Sequence, residues 1–183
     1  SPSTARKGNL LAAIGMLMAV VVTLLDREIL NYGMILIGFA IGAAIGATLA
    51  RTIAMTAMPQ MVAVFNGLGG AASALIAVSE FVKLSKGTDD IELKVSIIIM
   101  LGTFIGAITF SGSMIASGKL QEVVTTRPVT FFLQKSLNLA LFLAAVFLSI
   151  YLVTGASIPL LGDSALPLYF GIVTIALLLG ILL

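Results

Sequence analysis

Apolar residues in this chain run in long blocks, broken at intervals by short clusters of charge, glycine and proline. Six blocks can be marked, at about 8–25, 33–50, 59–82, 95–118, 136–154 and 166–183. At 1.5 Å per residue, about eighteen residues of helix cover about 27 Å, close to the hydrocarbon thickness of a bilayer. The pattern predicts an all-α fold: a polytopic membrane helix bundle with about six transmembrane helices, in a single domain over 1–183. Membrane strands must alternate polar and apolar positions, whereas Ile97-Ile98-Ile99-Met100-Leu101 is apolar on both parities, so a barrel is not expected. The first block is not expected to be a cleaved signal peptide, because equally hydrophobic blocks follow it with no small-residue cleavage site between.

Composition strengthens this reading. Hydrophobic residues make up 60% of the 183 and charged residues 10%, and the mean hydropathy is +1.18, against about 25% charged in soluble domains. A net charge of +2, spread over scattered cations, assembles no basic face, so nucleic acid is not an expected partner. The chain has no Cys and no His, which removes disulfides, thiolate chemistry, imidazole ligands and an imidazole proton carrier. No metal site is expected.

Charges between the blocks set the expected orientation. With the N-terminus cytoplasmic, the inner connections hold Arg6, Lys7, Arg51, Lys119, Arg127 and Lys135 with the acid Glu122. The outer ones hold Arg27, Lys83, Lys86 and Lys94 among Asp26, Glu28, Glu80, Asp89, Asp90, Glu92 and Asp163. The cation excess inside is modest and favours that orientation. The connection from Lys119 to Lys135 carries Thr125-Thr126-Arg127-Pro128 and Phe131-Phe132. It reads as an interfacial loop with aromatics at headgroup depth, or as a docking surface for a cytoplasmic partner.

Against this background one stretch stands out. Met58-Pro59-Gln60-Met61-Val62-Ala63-Val64-Phe65-Asn66-Gly67-Leu68-Gly69-Gly70 sets an amide and three glycines inside a long uncharged run. A polar group placed where lipid or packing replaces water costs about 1–3 kcal/mol unless it is hydrogen-bonded. Stepping about 100° per residue puts Asn66, Gly70, Ser73, Ala77 and Glu80 on one face of the third helix, and Gly102, Gly106, Thr109, Ser113 and Ala116 on one face of the fourth. Opposed, these small, hydroxyl-bearing faces are expected to leave room for water, as a path for protons or small ions requires. Individually, Ser73, Thr109 and Ser113 read as hydroxyls bonded to their own preceding turn; Asn66 reads equally as interhelical glue or as a functional polar site. Gly38, Gly42 and Gly46 form consecutive GxxxG units and read as a packing face. Glu80 and Lys83 are expected to reach the outer interface, and Asn138 to contact the inner loop or headgroups.

Residues Gly67 to Ala72 also fit GxGxxA after an apolar run, with Asp89 and Asp90 about twenty residues on, the outline of a dinucleotide-binding turn. Residues 71–82 lack the polar face of a helix covering a soluble sheet, and no further strand–helix alternation follows. That reading is set aside.

The same residues carry a family likeness. Arg51-Thr52-Ile53-Ala54-Met55-Thr56-Ala57-Met58-Pro59-Gln60-Met61-Val62-Ala63, running into Asn66-Gly67-Leu68-Gly69-Gly70, closely resembles the beta subunit of the proton-translocating NAD(P) transhydrogenases. Gly106-Ala107-Ile108-Thr109-Phe110-Ser111-Gly112-Ser113 with Gly118-Lys119-Leu120 resembles the following helix of that subunit, and Ser1-Pro2-Ser3-Thr4-Ala5-Arg6-Lys7-Gly8-Asn9 the connection after its first helix.

The resemblance implies part of the proton-translocating membrane domain, in the cell (inner) membrane, coupling inward proton movement to hydride transfer from NADH to NADP+. It implies an earlier helix, later helices and a soluble NADP(H)-binding domain outside this chain, so no cofactor is expected on the chain itself and no catalytic residue in it. NAD(H) and NADP(H) belong to the soluble domains of the complete enzyme. The implied partners are those domains, the alpha subunit, the lipid bilayer and, for complete enzymes, a second copy in a homodimer. Some members carry a histidine at the position matching Asn66, regarded as the proton-carrying site. An amide does not titrate near neutral pH, so the resemblance implies that a helix of the alpha subunit supplies the histidine. Asn66 and Ser113 are then expected to line the path, with Thr109 and Ser73 as weaker candidates; Gly70 and Gly106 are expected to pack. Arg51, Lys119 and Arg127 are the candidates for coupling to the NADP(H) domain. Two other readings remain: a small ion or solute transporter, and a structural membrane scaffold.

Overall fold

The computed structural model describes residues 2–25, 32–85, 93–127, 132–154 and 165–183. They form α1 (Pro2–Leu24), α2 (Tyr32–Thr52), a short 3-10 turn (Met55–Ala57), α3 (Met58–Leu84), α4 (Leu93–Leu120), α5 (Gln134–Thr154) and α6 (Ala165–Leu182), with no strand among the described residues. All six α-helices are long and apolar enough to cross a membrane, and the protein is a multi-pass membrane protein. Several helices outrun the apolar blocks that announce them. α1 starts at Pro2, not at about 8, and α4 covers Leu93–Leu120 in place of about 95–118. Hydropathy marks where hydrocarbon begins, whereas the helix continues outward to keep its backbone groups bonded; a proline at the first helical position has φ already set for it. Of the charged and loop residues singled out above, Asp26, Arg27, Glu28, Lys86, Asp89, Asp90, Glu92, Pro128, Phe131 and Asp163 lie outside the described residues, as does Ser1.

The chain divides into two compact units, Ser1–Ile53 and Ala54–Leu183. In the first, the Tyr32 hydroxyl donates to the Leu24 carbonyl at 3.2 Å, and Thr23, Thr48 and Thr52 each donate to the carbonyl four residues back. α2 has no buried residue.

In the second unit α4 is the hub: α3 lies along it, α6 packs on it, and α5 packs mainly on α6. Lipid offers no hydrophobic drive for these pairings, so close packing and interhelical hydrogen bonds must hold them. Towards the start of α4 the contact is apolar, with Ala77, Phe81, Ile99, Met100, Tyr169 and Ile172 forming the core. There the Phe81 and Tyr169 rings stack with centroids 3.9 Å apart, and the Tyr169 hydroxyl is hydrogen-bonded to that of Thr103. Further along, a Cβ on Gly180 would collide with the Ser111 hydroxyl and the Ile108 carbonyl, so α6 crosses α4 at backbone contact. Asn138 departs from expectation. Its amide reaches the Leu182 carbonyl at 3.5 Å, beside Gln134, which donates to the same carbonyl at 2.9 Å. α6 ends close enough to the start of α5 to offer that acceptor.

Candidate functional site

Pro59 sits in the first turn of α3, where the missing N–H would have had no helical partner. From there α3 runs without a break through Asn66 and the glycines after it. Glycine at 67 brings α4 close: a Cβ there would lie 2.5 Å from Met114 Cε and 3.1 Å from Ser113 Cβ. At that approach the Asn66 amide Nδ2 donates to Ser113 Oγ at 2.8 Å. The serine is half-buried, while the asparagine remains exposed on the flank of the helix pair. Its carbonyl oxygen and the second amide hydrogen are therefore available to water or to a neighbouring helix.

One turn further along the seam the helices touch. A Cβ on Gly70 would stand 2.8 Å from the Gly106 carbonyl oxygen, the Phe110 nitrogen and Thr109 Cβ; one on Gly106 would stand 2.7 Å from Gly70 O and Ala74 N. The two small faces do oppose each other, but at this level they leave no room for water. Beyond it the seam reopens as a groove of about 280 Å³ lined by Ser73, Ala77, Glu80, Val95, Ile99 and Gly102, among others. Glu80 pairs with Lys83 at 3.5 Å, both side chains well exposed.

Of the candidate residues, the structure thus joins Asn66 to Ser113, sets Thr109 against the Gly70–Gly106 contact and leaves Ser73 beyond it. Among the described residues, the hydroxyls of Thr109 and Ser73 have no hydrogen-bond partner. The self-bonded hydroxyl of this helix is Ser111, which donates to Ala107 O at 3.0 Å. Within the first unit, an added Cβ at Gly38, Gly42 or Gly46 meets nothing within 4 Å. Arg51 and Lys119 lie in the last turns of α2 and α4, and Arg127 is exposed in the segment after α4. No cluster of metal-ligating side chains occurs among the described residues.

Sequence reasoning passed over several polar residues. Gln60 donates to the Leu120 carbonyl at 2.8 Å, and Ser117 and Gln121 join it. Its signal was present, an amide in the same uncharged run as Asn66. Thr103 and Tyr169 were also missed; their pairing spans 66 positions of sequence, which no local pattern reveals.

The arrangement places an amide and a hydroxyl, neither able to store a proton, where they can orient water or bridge to a titratable group on another chain. The family model for the NAD(P) transhydrogenase beta subunit matches residues 1–183. The NAD(P) transhydrogenase subunit beta of Rhodospirillum rubrum is 37% identical over 138 residues, which are 73% of this chain and 30% of that protein. A second Rhodospirillum rubrum sequence of the same name, assigned to a defined strain, matches to the same extent. The chain therefore matches less than a third of the length of these relatives.

Proposed function

Since the chain belongs to the NAD(P) transhydrogenase beta subunit family, we propose that it forms part of the membrane domain that passes protons inward and couples them to hydride transfer from NADH to NADP+. The observation that carries this reading is the hydrogen bond from Asn66 to Ser113, 2.8 Å across α3 and α4, in a chain with no histidine. Asn66 and Ser113 orient water along the seam, and a histidine on an alpha-subunit helix facing the exposed side of Asn66 takes up and releases the proton. Thr109 and Ser73 stand further along the same seam. The Gly70–Gly106 contact is its tight point.

The nicotinamide cofactors, held by soluble NAD(H) and NADP(H) domains outside this chain, supply the hydride chemistry. Coupling then requires a conformational equilibrium that both proton occupancy and NADP(H) state bias. Arg51, Lys119 and Arg127 are the cations that meet an acidic surface of the NADP(H) domain, with the N-terminus of this chain cytoplasmic in the cell (inner) membrane. The complete enzyme is a homodimer in this account.

Proton-coupled turnover of the assembled enzyme in vesicles tests the reading. Asn66→Leu and Ser113→Ala are expected to lower proton movement at least about tenfold and about threefold respectively, the range set by one interhelical hydrogen bond and its water. Full proton movement in both variants would remove these residues from the path.

A further inference from the structure

The last carbonyls of a helix have no partner within it and must find donors elsewhere. At the end of α4 each of them does. Ser117 O accepts from Gln121 N at 3.0 Å, Gly118 O from Val123 N and Val124 N at 3.0 and 3.1 Å, and Lys119 O from Glu122 N at 3.1 Å. Glu122 closes this turn in the left-handed region, with φ 58°, a position that glycine usually fills. The remaining carbonyl, Leu120 O, is met from another helix by the Gln60 side-chain amide at 2.8 Å. A second link runs the opposite way. The buried Ser117 hydroxyl donates to the Gln60 carbonyl at 3.4 Å while it accepts from Gln121 Nε2 at 2.9 Å.

These links sit one step from the Asn66–Ser113 hydrogen bond. On α4, Ser113 and Ser117 are four residues apart and share a face. On α3, Gln60 and Asn66 lie about 9 Å apart along the axis. The glycine contact limits how closely the helices approach, whereas hydrogen bonds limit how far they slide. A slip of one residue, about 1.5 Å, would break the bond at Leu120 O and the bond at Ser113 together.

Resting on the proton-path reading above, we propose that Gln60 and Ser117 are positioning residues for that path: their hydrogen bonds hold α3 and α4 in the register at which Asn66 donates to Ser113, and tie that register to the turn leaving α4 at Gln121 and Glu122. Neither residue touches the proton. A rearrangement of the turn that withdraws Gln121 from Ser117, or Leu120 O from Gln60, loosens the register one helical turn away.

The test uses the enzyme assembled from alpha and full-length beta subunits, reconstituted in vesicles with a trapped pH-sensitive dye, and follows protons moved and hydride transferred in the same sample. Their ratio does not depend on how much protein folds. Gln60→Met, which keeps length and removes the amide, and Ser117→Ala are each expected to lower the ratio about three- to tenfold, as for loss of one interhelical hydrogen bond. A merely structural role lowers both rates together and leaves the ratio alone. An unchanged ratio in both variants, with a reduced ratio in Asn66→Leu, overturns this inference and leaves the proton-path reading standing. An unchanged ratio in Asn66→Leu as well overturns that reading and this inference with it.

Discussion

Thr103 and Tyr169 are both wholly buried, and their hydroxyls satisfy one another between α4 and α6. Removing one partner leaves the other's polar group unmatched, which costs about 1–3 kcal/mol, whereas replacing both with apolar groups of similar shape is nearly neutral. Tyr169→Phe alone is therefore expected to lower the denaturation midpoint of the detergent-solubilised protein, and Thr103→Val added to it is expected to restore part of the loss. Strictly additive losses would show that the pair contributes nothing jointly. These residues also show what a sequence conceals. A threonine in a membrane helix reads as bonded to its own turn, and a tyrosine near the start of a span reads as interfacial. Only the meeting of α4 with α6 makes them partners. Asn66 was legible for the contrary reason, since an amide within an apolar run has a cost that demands a partner. Ser113 was placed on the facing helix by the about 100° step but read as bonded to its own turn, whereas it accepts from Asn66.

At the scale of the element, hydropathy located all six helices, and its error lay at their ends, where the helix extends past the hydrocarbon. The small-residue faces of α3 and α4 were legible as an opposed pair, but the room for water expected between them is closed at the level of Gly70 and Gly106. Gly70 and Gly106 seat α3 on α4 at backbone contact, while an added Cβ at Gly42 meets nothing within 4 Å. The tight contact within the second unit is made by one glycine from each helix, Gly70 of α3 and Gly106 of α4, the latter four residues after Gly102. Gly106→Ala must push Gly70 O and Ala74 N away, an overpacking cost of about 1–3 kcal/mol. Gly42→Ala exchanges a poor helix former for a good one, a gain of up to about 1 kcal/mol in an exposed helix. Thermal midpoints of the two variants in detergent check this: the first is expected to fall and the second to hold or rise. Equal behaviour would contradict the α3–α4 contact.

For the whole molecule, the second unit separates two kinds of adhesion. Apolar core and aromatic stacking hold the end at which α4 begins and α3 finishes. Hydrogen bonds from Gln60, Asn66, Gln134 and Asn138 hold the opposite end. That polar end is the one at which α4 finishes with Lys119 and leads on to Arg127, so within the second unit the seam proposed for protons lies towards the side proposed for the soluble domains. What the chain lacks matters as much. Because the sequence has no histidine, the imidazole proposed beside Asn66 comes from outside these residues, and that lack was visible in the composition before any fold was known. The geometry that makes such an arrangement physically possible, an exposed amide hydrogen-bonded on its inner side, was not.

The most direct measurement is the pH dependence of proton-coupled turnover in the assembled enzyme carrying Asn66→His. An imidazole at this position, facing the water path beside Ser113, introduces a group that titrates between about pH 5 and 8, and the account predicts a new inflection in that interval relative to the unsubstituted enzyme. A profile that superimposes on the original, with turnover unchanged, would contradict the placement of residue 66 on the proton path.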